Sequence, residues 1–183
     1  MPPAPRVGGA PPCEFPQTWG RGGIDRGEGA GGQYNSAMEF VVRVVESEAD
    51  RAGQLELRYK VLREPLGLPR SASAFAGDDA PETVHLVAVT ESGEVIGCAT
   101  LLRDGEALQL RGMAVDEGWQ GKGVGRAILE SVYVEAKGRA LWCNARVTAE
   151  PFYSRYGWES EGDGFDVPGV GPHVVMHWTG DRR

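Results

Sequence analysis

One stretch constrains this chain more than any other: Met113-Ala114-Val115-Asp116-Glu117-Gly118-Trp119-Gln120-Gly121-Lys122-Gly123-Val124-Gly125-Arg126. A strand-like run enters a glycine-rich turn and passes straight into a helical pattern. The first turn of a helix has unpaired N–H groups and a positive dipole end, which together suit a pyrophosphate. Glycines at 121, 123 and 125 let the backbone come close to phosphate oxygens with no Cβ in the way. Three readings compete. A Walker A loop needs Gly-x-x-x-x-Gly-Lys followed by Ser or Thr, and Lys122 is followed by Gly123, so that reading fails. A dinucleotide loop needs Gly-x-Gly-x-x-Gly in the first βα unit, with an acid ~20 residues on. Here the spacing is Gly-x-Gly-x-Gly, the loop comes late in the chain, and hairpins precede it. A plain tight turn is the bland alternative.

The sequence around the loop alternates between strand and helix patterns. Phe40 to Val45 is β-branched and reads as a strand. Ser47 followed by Asp50 resembles a capping box, opening a helix through Leu55, Tyr59 and Leu62 that Pro65 is expected to end. Residues 66–82 are small and polar and read as loop. Val84 to Val89 and Val95 to Leu101 are strands joined across Ser92-Gly93, and Asp104-Gly105 turns the chain into Ala107 to Val115. A helix follows from about Gly123 to Lys137, with Ala127, Ile128, Val132 and Ala136 as its apolar positions. Leu141 to Ala145 is a short strand, Glu150 to Tyr156 a short helix stopped by Gly157, and Trp158 leads to a final strand, Val174 to Trp178. This order predicts an α/β (α+β) layer fold, a mixed sheet covered by helices.

Residues 1–37 differ from everything after them. They hold nine glycines and six prolines, with no helical or strand period, so no packed structure is expected there and the folded domain is set at 38–183. The patterned sequence begins abruptly at Met38, which fits either a flexible leading tail or a translation start at Met38. Length fits one domain of ordinary size. No apolar run approaches the ~18 residues of a membrane span, and the N-terminus lacks the basic start and apolar region of a signal peptide, so a cytoplasmic protein is expected. The net charge of -7 argues against nucleic acid as a partner. Cys13, Cys98 and Cys143 are too few and too scattered for a disulfide framework or a zinc site. Cys98 and Cys143 sit in apolar runs and read as small buried hydrophobes.

The motifs together resemble a known family. Gln120-Gly121-Lys122-Gly123-Val124-Gly125 is similar to the Gln/Arg-x-x-Gly-x-Gly/Ala signature of the GNAT N-acetyltransferase superfamily. About thirty residues later, Pro151-Phe152-Tyr153-Ser154-Arg155-Tyr156-Gly157-Trp158 resembles the family's Ala-x-x-Phe-Tyr-x-x-x-Gly-Phe element. The resemblance spans nearly all of 39–178 and implies the family's mostly antiparallel sheet flanked by helices. It implies an acetyl-CoA-dependent N-acetyltransferase that moves an acetyl group to a primary amine of a small molecule or peptide, by direct attack in a ternary complex. A non-catalytic CoA-binding or regulatory module on the same fold is the rival, and a homodimer is an expected assembly. By the resemblance, Met113, Ala114 and Val115 would pair with the pantetheine arm through their backbone. Gln120, Gly121, Lys122, Gly123, Val124, Gly125 and Arg126 would hold the pyrophosphate, and Asn144 matches a polar position near the cofactor. Gly169-Val170-Gly171-Pro172-His173-Val174-Val175-Met176 looks like the Gly-Ile-Pro-His-x-x-Met tail of some small bacterial members, with Gly171 as an extra residue. The helix around Arg58 fits their substrate-side first helix.

Acyl transfer from a thioester to an amine needs a deprotonated amine, a stabilised oxyanion and a proton for the departing thiolate. A phenol serves the last need, since its unperturbed pKa of ~10 lies above the ~8.5 of a thiol. Tyr153 occupies the matching family position and is the expected general acid; Tyr156 is the poorer candidate. A backbone N–H of the 113–115 strand would hold the oxyanion. Many members carry a glutamate base on the strand before the loop, and the alignment brings Gln109 near that position. An amide cannot take the proton, so a water chain or a histidine must serve, with His85 and His173 as the candidates. His85 reads better as a sheet histidine hydrogen-bonded in place, whereas His173 follows a glycine-proline loop and is the stronger choice. His173 and His177 have the spacing of metal ligands on a helix, but the surrounding pattern is a strand, where four residues span ~13 Å. No metal is expected.

Overall fold

Residues 40–178 are described by the computed structural model, so the expectations for 1–37 and for a start at Met38 lie outside the described residues. Seven strands form: β1 (Phe40–Val44), β2 (Val84–Thr90), β3 (Val95–Asp104), β4 (Ala107–Val115), β5 (Leu141–Arg146), β6 (Trp158–Val167) and β7 (Gly171–Trp178). They form one sheet in the order β1-β2-β3-β4-β5-β7-β6. Every pairing is antiparallel except β4 with β5. The mixed, mostly antiparallel sheet expected from the sequence is therefore the one formed. Gly93 and Gly105 take left-handed backbone at the two predicted hairpin turns, which glycine tolerates without strain.

Helices cover both faces: α1 (Glu48–Arg58) on one, α2 (Val124–Ala136) and α3 (Glu150–Arg155) on the other. Ile128, Leu129 and Val132 of α2 bury against Leu86, Leu101, Leu110, Cys143 and Met176, one contiguous apolar layer. Truncating a residue buried like Ile128 to alanine costs about 2–5 kcal/mol. Trp158, fully enclosed, still finds a partner for its ring N–H in the Tyr133 hydroxyl, 3.0 Å away. Across the sheet, Leu57 of α1 packs on Val87, Val89, Cys98 and Ala114. Both cysteines are the inert hydrophobes expected: burial pushes the Cys98 thiol up to about 11 and the Cys143 thiol up to about 12.

Two expectations for the first helix need correction. Ser47 does cap α1, its hydroxyl accepting the Asp50 N–H at 3.1 Å. But the α-helix ends at Arg58, not at Pro65, and passes into a π-helical turn, Tyr59–Arg63, and a single 3₁₀ turn, Glu64–Leu66. Pro65 sits in the opening turn of that 3₁₀ segment, where its missing N–H has no helical acceptor to lose. Nor is 66–82 featureless. It contains a short 3₁₀ turn, Arg70–Ser73, and it buries Asp78 to 6 % exposure.

The feature that makes a site is where pairing stops. β4 and β5 are matched at Leu108/Leu141, Gln109/Trp142 and Leu110/Cys143, and no further. Beyond these the parallel strands part, leaving a wedge between Arg111–Val115 and Asn144–Arg146. A bulge against β3 accompanies the parting, with Gly112 at φ +56°. A Cβ at Gly112 would stand 2.7 Å from Arg58 Nε and from the Phe75 ring. Glycine is needed there for both conformation and space.

Candidate active site

The β4 edge of the wedge offers backbone. The N–H of Asp116 turns toward β3, 2.9 Å from the Ile96 carbonyl. N–H groups alternate sides along a strand, so Met113 and Val115, out of phase with Asp116, turn theirs toward the wedge. An extended amide-containing arm adds to such an edge as another strand would.

At the open end of the wedge stands the glycine loop. Asp116 Oδ1 accepts the Gly118 N–H at 2.9 Å and shapes the short turn Glu117–Trp119, and Gln120 Nε2 donates to the Val115 carbonyl at 3.2 Å. Gly121 and Gly123 have φ of +74° and +86°, and nothing lies within 4 Å of where a Cβ would stand. Gly123 caps α2 with no side chain bonded to the first-turn N–H groups, so those of Val124, Gly125 and Arg126 are left for another acceptor. Gly125 needs a correction. A Cβ there would come 3.1 Å from the Phe152 ring, so its missing side chain serves the close packing of α3 on α2. The Lys122 ammonium lies 5.0 Å over the Trp119 ring, and Arg126 pairs with Glu130 at 3.0 Å on the exposed face of α2.

Tyr153 reaches the wedge from α3. Its hydroxyl donates to Met113 Sδ at 3.6 Å, beside the β4 edge, while its ring meets Phe152 and Trp158 edge-on. Burial pushes its pKa well above the usual phenol range, so the group holds its proton at neutral pH. On the sheet face that α1 covers, Asn144 and Arg146 point from β5, and His173 stands directly across from Arg146 on β7. His173 Nδ1 lies 2.8 Å from the Gly171 carbonyl. A carbonyl only accepts, so Nδ1 carries the hydrogen and Nε2 is the basic nitrogen of the neutral ring. Phe165 flanks the ring, with centroids 5.9 Å apart.

His85 is spent on structure. Gln54 Nε2 donates to its Nδ1 at 3.2 Å, and its Nε2 donates to the Asp78 carbonyl at 2.8 Å. Burial and nearby arginines outweigh the Asp78 contacts and hold its pKa below the ordinary imidazole value. Gln109 lies inside the paired part of β4, opposite Trp142, before the strands part. His173 and His177 both lie on β7, a strand as expected, and His177 is 2.6 Å from Glu161.

The sequence singles out Arg58 but not the arginines that gather around it. Arg58 is fully buried and paired with Asp78 at 2.6 Å; it also donates to the Thr100 hydroxyl. Burial alone would raise the Asp78 pKa, but the Phe75 N–H and the Arg58 guanidinium outweigh it, and the carboxyl ends below its ordinary range. The guanidinium groups of Arg58, Arg63 and Arg111 lie 4.6, 5.0 and 5.1 Å from the Phe75 ring centroid. Their positions span more than fifty residues, so no local motif announces them.

A parted pair of parallel strands, a glycine loop opening a helix and a phenol at the parting define an acyl-CoA-type transferase fold. Residues 71–179 match the model of the acetyltransferase (GNAT) domain, and the chain belongs to that family. The chain is similar to the uncharacterised N-acetyltransferase YitI of Bacillus subtilis, 33 % identical over 134 residues that cover 68 % of this chain and 88 % of YitI. Among solved structures it resembles ElaA of Escherichia coli, with TM-score 0.67, 17 % identity, and 76 % of this chain and 99 % of that one covered. It also resembles an aminoglycoside 6'-N-acetyltransferase complexed with coenzyme A, with TM-score 0.62, 13 % identity and coverage of 75 % and 95 %. At these identities the structures speak for the fold. Among the described residues, no helix is long and apolar enough to cross a membrane.

Proposed function

We propose that the protein is an N-acetyltransferase moving an acetyl group from acetyl-CoA to a primary amine by direct attack in a ternary complex. The observation that carries this reading is the Tyr153 hydroxyl beside Met113, at the edge where β4 leaves β5. In the proposed complex the pantetheine arm lies in the wedge along Met113, Ala114 and Val115. Gln120, Gly121, Lys122, Gly123, Val124, Gly125 and Arg126 surround the pyrophosphate, mainly through first-turn N–H groups, and Asn144 faces the arm from β5. The CoA complex of the aminoglycoside enzyme supports acyl-CoA as the donor.

The amine lone pair attacks the thioester carbonyl carbon while a β4 N–H steadies the oxyanion. His173 Nε2 takes a proton from the attacking nitrogen, the C–N bond forms and the C–S bond breaks. Tyr153 gives its proton to the leaving sulfur, releasing an amide and free CoA; His173 then gives up its proton to solvent and Tyr153 recovers one from it. The catalytic unit is proposed to be 38–183.

The test is incubation with acetyl-CoA and a panel of primary amines, read by free-thiol release and by mass of the acylated product. Amine-dependent thiol release is expected. CoA binding with no amine consumed would overturn the enzyme and favour a CoA-binding regulatory module.

A further inference from the structure

We infer that the acceptor amine carries an anionic group, a carboxylate or phosphate, bound by Arg63, Arg111 and Arg146 across the wedge on the sheet face that α1 covers. This rests on the acyltransferase reading and adds to it the class of acceptor.

Placement comes first. Arg111 is the first β4 residue beyond the paired ladder, and Arg146 ends β5 on the other side of the wedge. Arg63 closes the triangle from the π turn above the same sheet face. That turn has a clear consequence. In a regular α-helix, residues five apart point about 140° away from each other. In the π turn, with the Glu64 N–H bonded back to the Tyr59 carbonyl, five residues make about one turn. Arg58 and Arg63 are thereby brought to one face, over the same Phe75 ring.

Next comes what holds them. Arg63 Nε, one Arg111 terminal nitrogen and one Arg146 terminal nitrogen donate to the carbonyls of Ala72, Ala76 and Leu62, at 3.0, 3.1 and 2.9 Å. All three carbonyls belong to the segment that follows α1. Each guanidinium has five N–H donors, so these bonds orient the groups and leave most donors unused. Among the described residues, none of the three is ion-paired with a carboxylate. Asp78, the acid whose charge acts on Arg111, is already engaged by Arg58 and Arg51.

That arrangement is unfavourable as it stands. Arg63 is lowered from its ordinary pKa by burial and by the charges of Arg146, Arg58 and Arg111; Arg111 is lowered by burial, with Asp78 opposing and Arg58 adding. A protein of net charge -7 has carboxylates to spare, yet among the described residues it pairs none with these half-buried cations. A planar, forked set of donors of this kind matches a carboxylate or phosphate. The cofactor's own pyrophosphate is placed elsewhere, at the glycine loop beyond the end of β4. An anion bound here would lie on the α1 face of the wedge, beside His173, the proposed base, which stands across from Arg146.

The experiment compares matched pairs: an amino acid with its carboxamide, and phosphoethanolamine with ethanolamine. The anionic member should show a kcat/KM higher by about tenfold to a hundredfold, as charge-assisted bonds predict. Which pair shows it distinguishes carboxylate from phosphate. The preference should collapse in Arg146→Gln and in Arg111→Gln, with CoA titration confirming that each variant is folded. Equal turnover of both members in each pair would overturn the anionic acceptor while leaving the acyltransferase standing. Should no amine turn over, the acyltransferase reading falls. The arginines are then judged by thermal stabilisation of the CoA-loaded protein with phosphoethanolamine and the amino acid. Stabilisation lost in Arg146→Gln would support the anion site, and none in the unaltered protein would overturn it.

Discussion

The two regions around the wedge are built from different materials. Toward the proposed cofactor, the protein presents main-chain N–H groups from β4 and from the first turn of α2, with glycines keeping side chains out of the way. Toward the proposed acceptor, it presents long charged side chains set by tertiary contacts: a π turn, a buried ion pair and three carbonyls of one segment. Backbone donors can recognise only what every acyl-CoA shares. Side chains can be exchanged without disturbing the sheet, so the acceptor region is where specificity has room to vary. The lesson is that cofactor and acceptor recognition should separate under mutation.

The largest expected effect tests the junction between the two regions. Tyr153→Phe keeps the ring that packs on Phe152 and Trp158 but removes the proton. Turnover should fall by about 10²–10⁴, the range for a lost general acid, while acetyl-CoA affinity stays the same. Full turnover with the best amine would make Tyr153 a packed aromatic only.

Next in size is Asp78→Asn, which strikes the acceptor region through its foundation. It leaves the Arg58 guanidinium buried without its carboxylate, a loss of about 3–5 kcal/mol in denaturant unfolding. Because the Asp78 pKa is held below its unfolded value, the stabilisation is present above about pH 4. It is lost as pH falls through that lowered value. The melting temperature of the unaltered protein should drop over that range, and the drop should shrink in Asp78→Asn. An unchanged acid profile would show that the pair contributes no pH-dependent stability.

The mildest effect on stability is expected from Gly123→Val, yet it should hit cofactor binding hardest. A branched residue forced into left-handed backbone costs about 1–2 kcal/mol, leaving a folded protein. The first-turn N–H groups would be displaced or screened, and calorimetric titration should show CoA affinity weakened about tenfold or more. Unchanged affinity would reduce the loop to a turn and end the contrast between the two regions.

Much of this was legible in the residues before any coordinates. Period and turn chemistry predicted the course of six of the seven strands and both hairpin turns, because alternating burial and positive-φ glycines are local requirements; β6, polar along most of its length, is marked in the sequence only by Trp158. Pro65 was misread for a physical reason: proline excludes itself from helix interiors but not from the start of a new turn, and sequence cannot tell which is present. Gly125 was read as phosphate clearance when a ring from α3, twenty-seven residues away, fills the space it leaves. That Gln109 lies inside the β4–β5 ladder is not legible in the sequence, because the end of a ladder depends on two strands far apart in the chain.

By itself, then, the sequence determined the family, the glycine loop and the place of Tyr153 after it. Each of these is a short-range pattern that one stretch of chain must satisfy alone. Tertiary structure decided the wedge, the loss of both His85 ring nitrogens to hydrogen bonds, and the meeting of Arg63, Arg111 and Arg146. Those depend on strand register, on a change of helical pitch and on burial. Each is a sum of contacts between segments distant in the chain, and no single segment encodes it.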